Sequence, residues 1–144
     1  MKLKEILKSK GAEVMTINGD ATIHDAIKLL VEKNIGALLV MNKSGKPSGI
    51  ISERDILRES AERDQQLRKT KIQNVMTRDL IIGLPDDDIT YTMGVMTQNR
   101  IRHLPIMENE QVIGMISIGD VVKAQLNEQE FDNRYLKQYM FGQA

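Results

Sequence analysis

The 144-residue chain is 41% hydrophobic and 28% charged, long enough to bury one real core or two very small ones, and its lack of cysteine excludes disulfide staples, a thiolate nucleophile and Cys-ligated zinc. Twenty basic and twenty acidic residues cancel, so no global field favours nucleic acid or an anionic membrane. His24 and His103 are the only histidines, no apolar run approaches the roughly 20 residues of a membrane span, and the first residues lack a signal-peptide core. A water-soluble, cytoplasmic chain with no membrane partner is the expectation.

In chain order, Lys2, Lys4, Lys8 and Lys10 read as one solvated helix face, followed by a short extended piece at Val14-Met15-Thr16. Ile23, Ile27 and Leu30 fall on one face of a helix that starts near Thr22. Ala37–Met41, a polar turn at Asn42–Lys46 and Ser48–Ile51 read as a hairpin, with a helix after Ser52. Glu59 to Asn74 is charged and free of Gly and Pro, the pattern of a helix end and a solvated linker. The order then recurs: Leu80-Ile81-Ile82 extended, a helix carrying Ile89, Met93 and Met96, strands around Leu104–Met107 and Val112–Ile116, and a helix after Ser117. Pro105 lacks a donor and belongs at a sheet edge or strand start. Phe131, Tyr135 and Tyr139 form an aromatic stripe at i, i+4 and i+8, expected to pack on the body or on a second subunit.

The recurrence is a sequence repeat. At an offset of 66, Asp20, Ile23, Ile35, Leu38 and Met41 fall on Asp86, Ile89, Ile101, Leu104 and Met107. One deletion in the hairpin turn changes the offset to 65, and Gly49, Ser52 and Asp55 fall on Gly114, Ser117 and Asp120.

Each copy carries Ser-x-x-Asp at a strand-to-helix junction, where free N–H groups and the helix dipole favour an anion. The same spacing is close to a capping box with Ser52 or Ser117 as N-cap. Two features tilt the reading toward a ligand. The acid is Asp, shorter than the Glu or Gln a reciprocal box prefers, and Gly49 and Gly114 suit the close approach of another group. Capping and binding can coexist. Arg102 and His103 flank an apolar strand where folding does not require charge, while local hydrogen bonding by His103 stays open. Asp86-Asp87-Asp88 answers a helix dipole better than a metal. Ser44-Gly45-Lys46 lacks P-loop spacing, and no Gly-x-Ser-x-Gly occurs.

The segments Gly49-Ile50-Ile51-Ser52-Glu53-Arg54-Asp55 and Gly114-Met115-Ile116-Ser117-Ile118-Gly119-Asp120 resemble the Gly–apolar–apolar–Ser/Thr–x–x–Asp pattern of the CBS domain, named after cystathionine β-synthase. Arg100–Ile106 is similar to that family's first-strand signature, and Asn74-Val75-Met76-Thr77 to the usual entry to a second copy. The resemblance covers roughly residues 5–125 and identifies the chain as similar to a stand-alone Bateman module. It implies an α/β (α+β) fold of two tandem repeats packed with pseudo-twofold symmetry, each a small sheet with two helices. The expected segments are 1–62 for repeat 1 with an N-terminal helix, 63–73 for a linker, 74–126 for repeat 2 and 127–144 for a helical tail.

The resemblance also implies two clefts that take adenine nucleotides, with the ribose held by Asp and the base by apolar and backbone groups. Asp120, Ser117 and Arg102, with His103 beside them, are paired with Met15, Ile35, Gly36 and Ala37; Asp55, Ser52 and Arg54 are paired with Ile81 and Ile101. Arg102 and Arg54 would face phosphate, though Arg54 also suits a plain surface charge. Gly36-Ala37 stands where the second copy has Arg102-His103, and Gly119 stands where the first has Arg54, so the clefts are unequal. The expected protein is a non-enzymatic regulatory module with no catalytic cofactor. It would bind AMP first, also ATP, ADP or NAD(H), and S-adenosylmethionine more weakly, as a homodimer acting on an unidentified protein in trans. The rivals are a structural dimerisation protein without nucleotide and a nucleotide hydrolase, for which no nucleophile, base or metal set is visible. Nucleic-acid binding lacks basic–aromatic interleaving.

Overall fold

In the computed structural model, which describes residues 1–11, 13–63 and 66–141, the elements run in this order: α1 (Leu3–Lys10), β1 (Thr16–Asn18), α2 (Ile23–Lys33), β2 (Ala37–Met41), β3 (Pro47–Ser52), α3 (Glu53–Arg63), a 3-10 turn (Ile72–Asn74), α4 (Ile89–Gln98), β4 (His103–Glu108), β5 (Gln111–Ser117) and α5 (Ile118–Phe141). Helix–strand–strand–helix thus occurs twice, in a mixed α/β architecture. The chain packs as two units, Val14–Ile81 and Met1–Glu13 with Ile82–Ala144.

In the Val14–Ile81 unit, β1 runs parallel to β2 from Thr16↔Leu39 to Asn18↔Met41, and β2 pairs antiparallel with β3 from Ala37↔Ser52 to Val40↔Gly49. Thr22 caps α2: its hydroxyl accepts from Asp25 N (3.2 Å) and the Asp25 carboxylate accepts from Thr22 N (3.1 Å). The buried face of α2 is Ile23, Ala26 and Leu30, with Ile27 only partly covered. The expected triad is therefore rotated by one residue, because small Ala26 lets the helix lie close to Leu38, Val40 and Ile51. Asn34 then turns left-handed (φ 54°) and Ile35 N donates to Leu30 O, which sets the entry to β2.

The second unit repeats this with one loss. β4 and β5 pair from His103↔Ser117 to Glu108↔Gln111, and α4 buries Ile89, Thr92 and Met96. Arg100 takes the left-handed position (φ 56°) that Asn34 holds in the first copy. The counterpart of β1 is reduced to a single bridge, Gly83↔Ile106. In the first unit Leu39 N donates to Met15 O, but Pro105 stands at that position and has no N–H to give to Ile81.

Packing does not follow the expected segments. Leu3, Ile6 and Leu7 of α1 are buried, and α1 packs on β5 and α5, so the N-terminal helix goes with residues 82–141. Residues 70–76, expected to straddle a linker and a second repeat, pack in the first unit, where Ile72 is fully buried. These two segments are counterparts. Leu3 N donates to Asp87 O as Ile72 N donates to Ala21 O; Lys4 N donates to Pro85 O as Gln73 N donates to Gly19 O; Ile89 N donates to Met1 O as Ile23 N donates to Thr70 O. Lys2-Leu3-x-x-Ile6-Leu7 and Lys71-Ile72-x-x-Val75-Met76 are the sequence form of that equivalence, and each segment packs with the helix–strand–strand–helix run of the other repeat. The tail from 127 onward is not separate: with no Gly or Pro after Gly119 until Gly142, α5 continues unbroken for 24 residues. Tyr135 on it is 59% exposed, and the side chains of Phe131 and Tyr139 lie outside the described residues.

Candidate functional site

Both Ser-x-x-Asp motifs stand where a strand delivers its chain to a helix, and in both the start of the neighbouring strand is held against that junction. Glu53 N donates to Gly36 O (3.0 Å), as Ile118 N donates to Arg102 O (2.8 Å). The register places Ala37 opposite Ser52 and His103 opposite Ser117. Gly36, Ala37, Ser52, Arg54 and Asp55 therefore gather at one junction, and Arg102, His103, Ser117 and Asp120 at the other. Met15 borders the first set through its bond to Leu39 and, with Ile35, packs on the apolar core of the first unit. Ile81 ends that unit, and Ile101 lies two residues before β4 in the other, half-buried, its N–H donating to Met96 O.

Both serines cap. Asp55 Oδ2 accepts from Ser52 N and Ser52 Oγ (both 3.0 Å), and Ser52 Oγ accepts from Asp55 N (3.3 Å). Asp120 Oδ2 accepts from Ser117 N (2.9 Å), and Ser117 Oγ accepts from Asp120 N (3.1 Å). Aspartate thus closes the reciprocal box despite its short side chain, which removes chain length as an argument against capping. The glycines have a packing reason as well. A Cβ at Gly49 would stand 2.7 Å from both Met76 Sδ and Thr77 O, and one at Gly114 would stand 2.5 Å from Leu7 Cδ2. The groups that approach these backbones closely are the chain's own.

The junctions differ in the second partner of the acid, which the sequence reading missed in both copies. In the first unit Thr77 Oγ1 donates to Asp55 Oδ1 (3.3 Å) while Thr77 N donates to Ile50 O. In the second, one ammonium does both tasks: Lys10 Nζ donates to Asp120 Oδ2 (2.5 Å) and to Met115 O (2.8 Å), Met115 being the counterpart of Ile50. Asp55 is 9% exposed with both oxygens engaged by neutral donors. The Asp120 side chain is 26% exposed, and its Oδ1 accepts no hydrogen bond among the described residues. Arg54 and Arg102 are exposed, and neither side chain has an ion pair or hydrogen bond among the described residues. Lys10 was expected on a solvated face with Lys2, Lys4 and Lys8. Lys2 and Lys4 stay exposed, and both pair with Asp86, at 3.6 and 2.9 Å.

Burial opposes ionisation of Asp120, but the Lys10 hydrogen bond, the Ser117 N–H and the Lys10 charge outweigh it and hold the carboxyl below its ordinary value near 3.8. A lowered folded value makes this contribution complete above the unfolded pKa of roughly 3.9 and removes it as pH falls through the folded value. The urea midpoint of the wild type should exceed that of Lys10→Met above about pH 5, and the gap should close below about pH 4. A gap unchanged at pH 3 would show that Lys10 stabilises by packing alone.

Asp86, Asp87 and Asp88 have separate tasks: Asp86 pairs with the lysines, Asp87 accepts from Leu84 N, and Asp88 caps α4 at Thr90 N. Among the described residues no three His, Cys, Asp or Glu are placed to hold a metal, and no helix is long and apolar enough to cross a membrane.

A family model for the CBS domain matches residues 3–62 and 72–127. The CBS domain-containing protein CBSX3, mitochondrial, of Arabidopsis thaliana is 35% identical over 148 residues, covering 97% of this chain and 72% of its own. The solved CBS-domain containing protein ATU1752 from Agrobacterium tumefaciens superposes with a TM-score of 0.84 at 34% identity, over 87% of this chain and 99% of its own. The CBS domain pair of protein MJ0100, solved in complex with 5-methylthioadenosine and S-adenosyl-L-methionine, superposes with a TM-score of 0.75 at 26% identity, over 86% of this chain and 98% of its own.

Proposed function

Because the chain belongs to the CBS-domain family and carries the domain twice, we propose that it is a regulatory module that binds an adenosine-containing ligand and reports its occupancy to a protein partner. AMP is the first candidate, followed by ADP, ATP and NAD(H). The observation that carries this reading is the second junction. Asp120 presents an oxygen that accepts no hydrogen bond among the described residues, at a junction that also holds Arg102, whose guanidinium has no partner among them, and on a helix N-terminus whose N–H groups favour anions. A ribose hydroxyl suits the carboxylate, and a phosphate suits the guanidinium and the ammonium of Lys10. Support also comes from MJ0100, whose CBS pair holds adenosine derivatives.

The first junction favours a different member of the same class. Gly36-Ala37 and Thr77 replace Arg102-His103 and Lys10, leaving Arg54 as its cation, so an uncharged or weakly charged adenosine fits better there. S-adenosylmethionine, a sulfonium, is disfavoured at the more basic second junction. Pairing of two copies is part of the reading, because Leu57 on α3 and Val122 on α5 occupy equivalent positions and are 73% and 40% exposed. The reading places the module in the cytoplasm and assigns it no reaction.

Calorimetric titration with AMP, ADP, ATP, NAD⁺, NADH, methylthioadenosine and S-adenosylmethionine at two temperatures tests it. Saturable binding that requires the adenosine half, with unequal affinities at two sites, is the expected result. Absence of heat and of any shift in Tm with every compound would leave a structural dimerisation protein.

A further inference from the structure

The other end of the first unit's strands carries a second candidate site. A cavity of about 600 Å³ opens where β1 and β2 end and β3 begins, lined among others by Asp20, Asn42, Lys43, Ser44, Lys71 and Arg78. It lies four residues along β2 from Ala37, about 13 Å at the strand rise, so it is not the Ser52–Asp55 junction. Three cations face one carboxylate, a net charge of +2.

The internal repeat supplies the control. In the other unit, Asp86 is the counterpart of Asp20, and it is paired at 3.6 and 2.9 Å by Lys2 and Lys4. In the first unit Lys71 stands for Lys2 but Gln73 stands for Lys4, and among the described residues Asp20 is paired by Lys43 alone, at 3.9 Å. The Lys71 ammonium has no ion pair or hydrogen bond among the described residues. Arg78 spends one Nη2 donor on Gln73 O (2.5 Å), and no other bond of its guanidinium is found among the described residues. The hairpin wall differs in sign as well: Asn42-Lys43-Ser44-Gly45-Lys46 in the first unit, Glu108-Asn109-Glu110 in the second. The hairpin is a built turn, with Asn42 Oδ1 accepting from Ser44 N (2.9 Å) and Lys46 N (3.0 Å) and Gly45 at φ 75°. It therefore holds the Lys43 and Ser44 backbone in place rather than leaving a loose loop.

From this contrast we infer that the cavity binds a small phosphate-bearing anion of at least two negative charges, a pyrophosphate or phosphate ester. Lys43 and Lys71 supply point charges, Arg78 a forked donor, and Ser44 a hydroxyl. This site stands independently of the adenosine reading.

The test is titration of the full chain with inorganic pyrophosphate, and separately inorganic phosphate, at physiological salt, followed by backbone amide NMR. Saturable shifts confined to Gly19, Lys43, Ser44, Gly45 and Lys71 are expected, with pyrophosphate the tighter. Lys71→Glu and Arg78→Glu should each weaken binding at least tenfold, Lys71→Gln by less, and Lys8→Glu on α1 not at all. Exposure of these side chains makes misfolding an unlooked-for outcome, and unchanged Tm values check it. Shifts spread over every basic surface, equal loss with Lys8→Glu, or no shift with pyrophosphate, phosphate or any of the nucleotides above would overturn the assignment. If nucleotides but not pyrophosphate move these amides, the phosphate ester is the ligand. If AMP binds at Asp120 while these amides stay still with every anion, only this inference fails.

Discussion

Asp120→Ala is expected to weaken AMP binding at the second junction by roughly ten- to a hundredfold, the equivalent of about 1.5–3 kcal/mol for hydrogen bonds to a charged acceptor. Alanine also removes the helix cap and leaves Lys10 facing Met115 O alone, so some loss of stability accompanies it. Asp120→Asn separates the two effects. The amide oxygen still accepts from Ser117 N, while the charge that holds Lys10 and attracts a ribose diol is gone. Affinity should therefore fall in both variants, and Tm should fall chiefly in the alanine. If Asn binds AMP as well as the wild type does, Asp120 is a cap and nothing more. Lys10 sharpens the expectation. Asp120 Oδ2 already accepts two donors, so a diol that uses both oxygens must displace the ammonium. A phosphate gives the displaced ammonium a new partner, and a bare nucleoside does not. Lys10→Met should accordingly narrow the preference for AMP over adenosine, mainly by improving adenosine. A preference unchanged in this variant would separate Lys10 from ligand choice without touching the role of Asp120.

The repeat, the hairpins and the junction residues were legible because they are local: a 66-residue offset, a period and a spacing suffice. The partners of the acids were not. Lys10 and Asp120 are 110 positions apart, and a lysine on a charged N-terminal helix gives no local sign of its acceptor. Thr77 lay in a quoted motif, but its hydroxyl reaches Asp55 across 22 residues. A usable signal did exist in Lys2-Leu3-x-x-Ile6-Leu7 against Lys71-Ile72-x-x-Val75-Met76. Extending the repeat by those six positions would have assigned each segment to the other copy's strands and brought Lys10 near Asp120. The two features that tilt the sequence toward a ligand over a cap also turn on distances, and the structure answers both with the chain's own atoms: Asp closes the box, and Met76 and Leu7 fill the space at the glycines. What favours binding is therefore the Asp120 oxygen and the Arg102 guanidinium, without partners among the described residues, together with family kinship, and not the motif spacing.

The equivalent glycines should respond unequally to the same change, and the order of their costs tests that exchanged packing. A methyl at Gly49 meets Thr77 O and Met76 Sδ, each at 2.7 Å. Met76 can rotate, but Thr77 O accepts from Ile50 N at 2.9 Å and its N–H donates back to Ile50 O, so the backbone bridge itself must move. At Gly114 the obstacles are the two methyls and Cγ of Leu7, at 2.5, 2.9 and 3.2 Å, all in one side chain. Gly49→Ala should therefore cost on the order of 1–3 kcal/mol, lowering Tm by roughly 5–10 °C, and Gly114→Ala should fall at the lower end of that range. Shortening the obstacle separates the cases further. Leu7→Ala should relieve much of the Gly114→Ala strain in the double variant, although it opens space of its own, whereas Met76→Ala should not rescue Gly49→Ala because Thr77 O remains. Gly49→Ala carries a second consequence: displacing Thr77 breaks its hydroxyl bond to Asp55 Oδ1 and loosens the first junction from behind. A Leu7→Ala substitution that left the cost of Gly114→Ala unchanged would mean that α1 does not pack on β5 in solution, and with it the placement of Lys10 against Asp120 would fall.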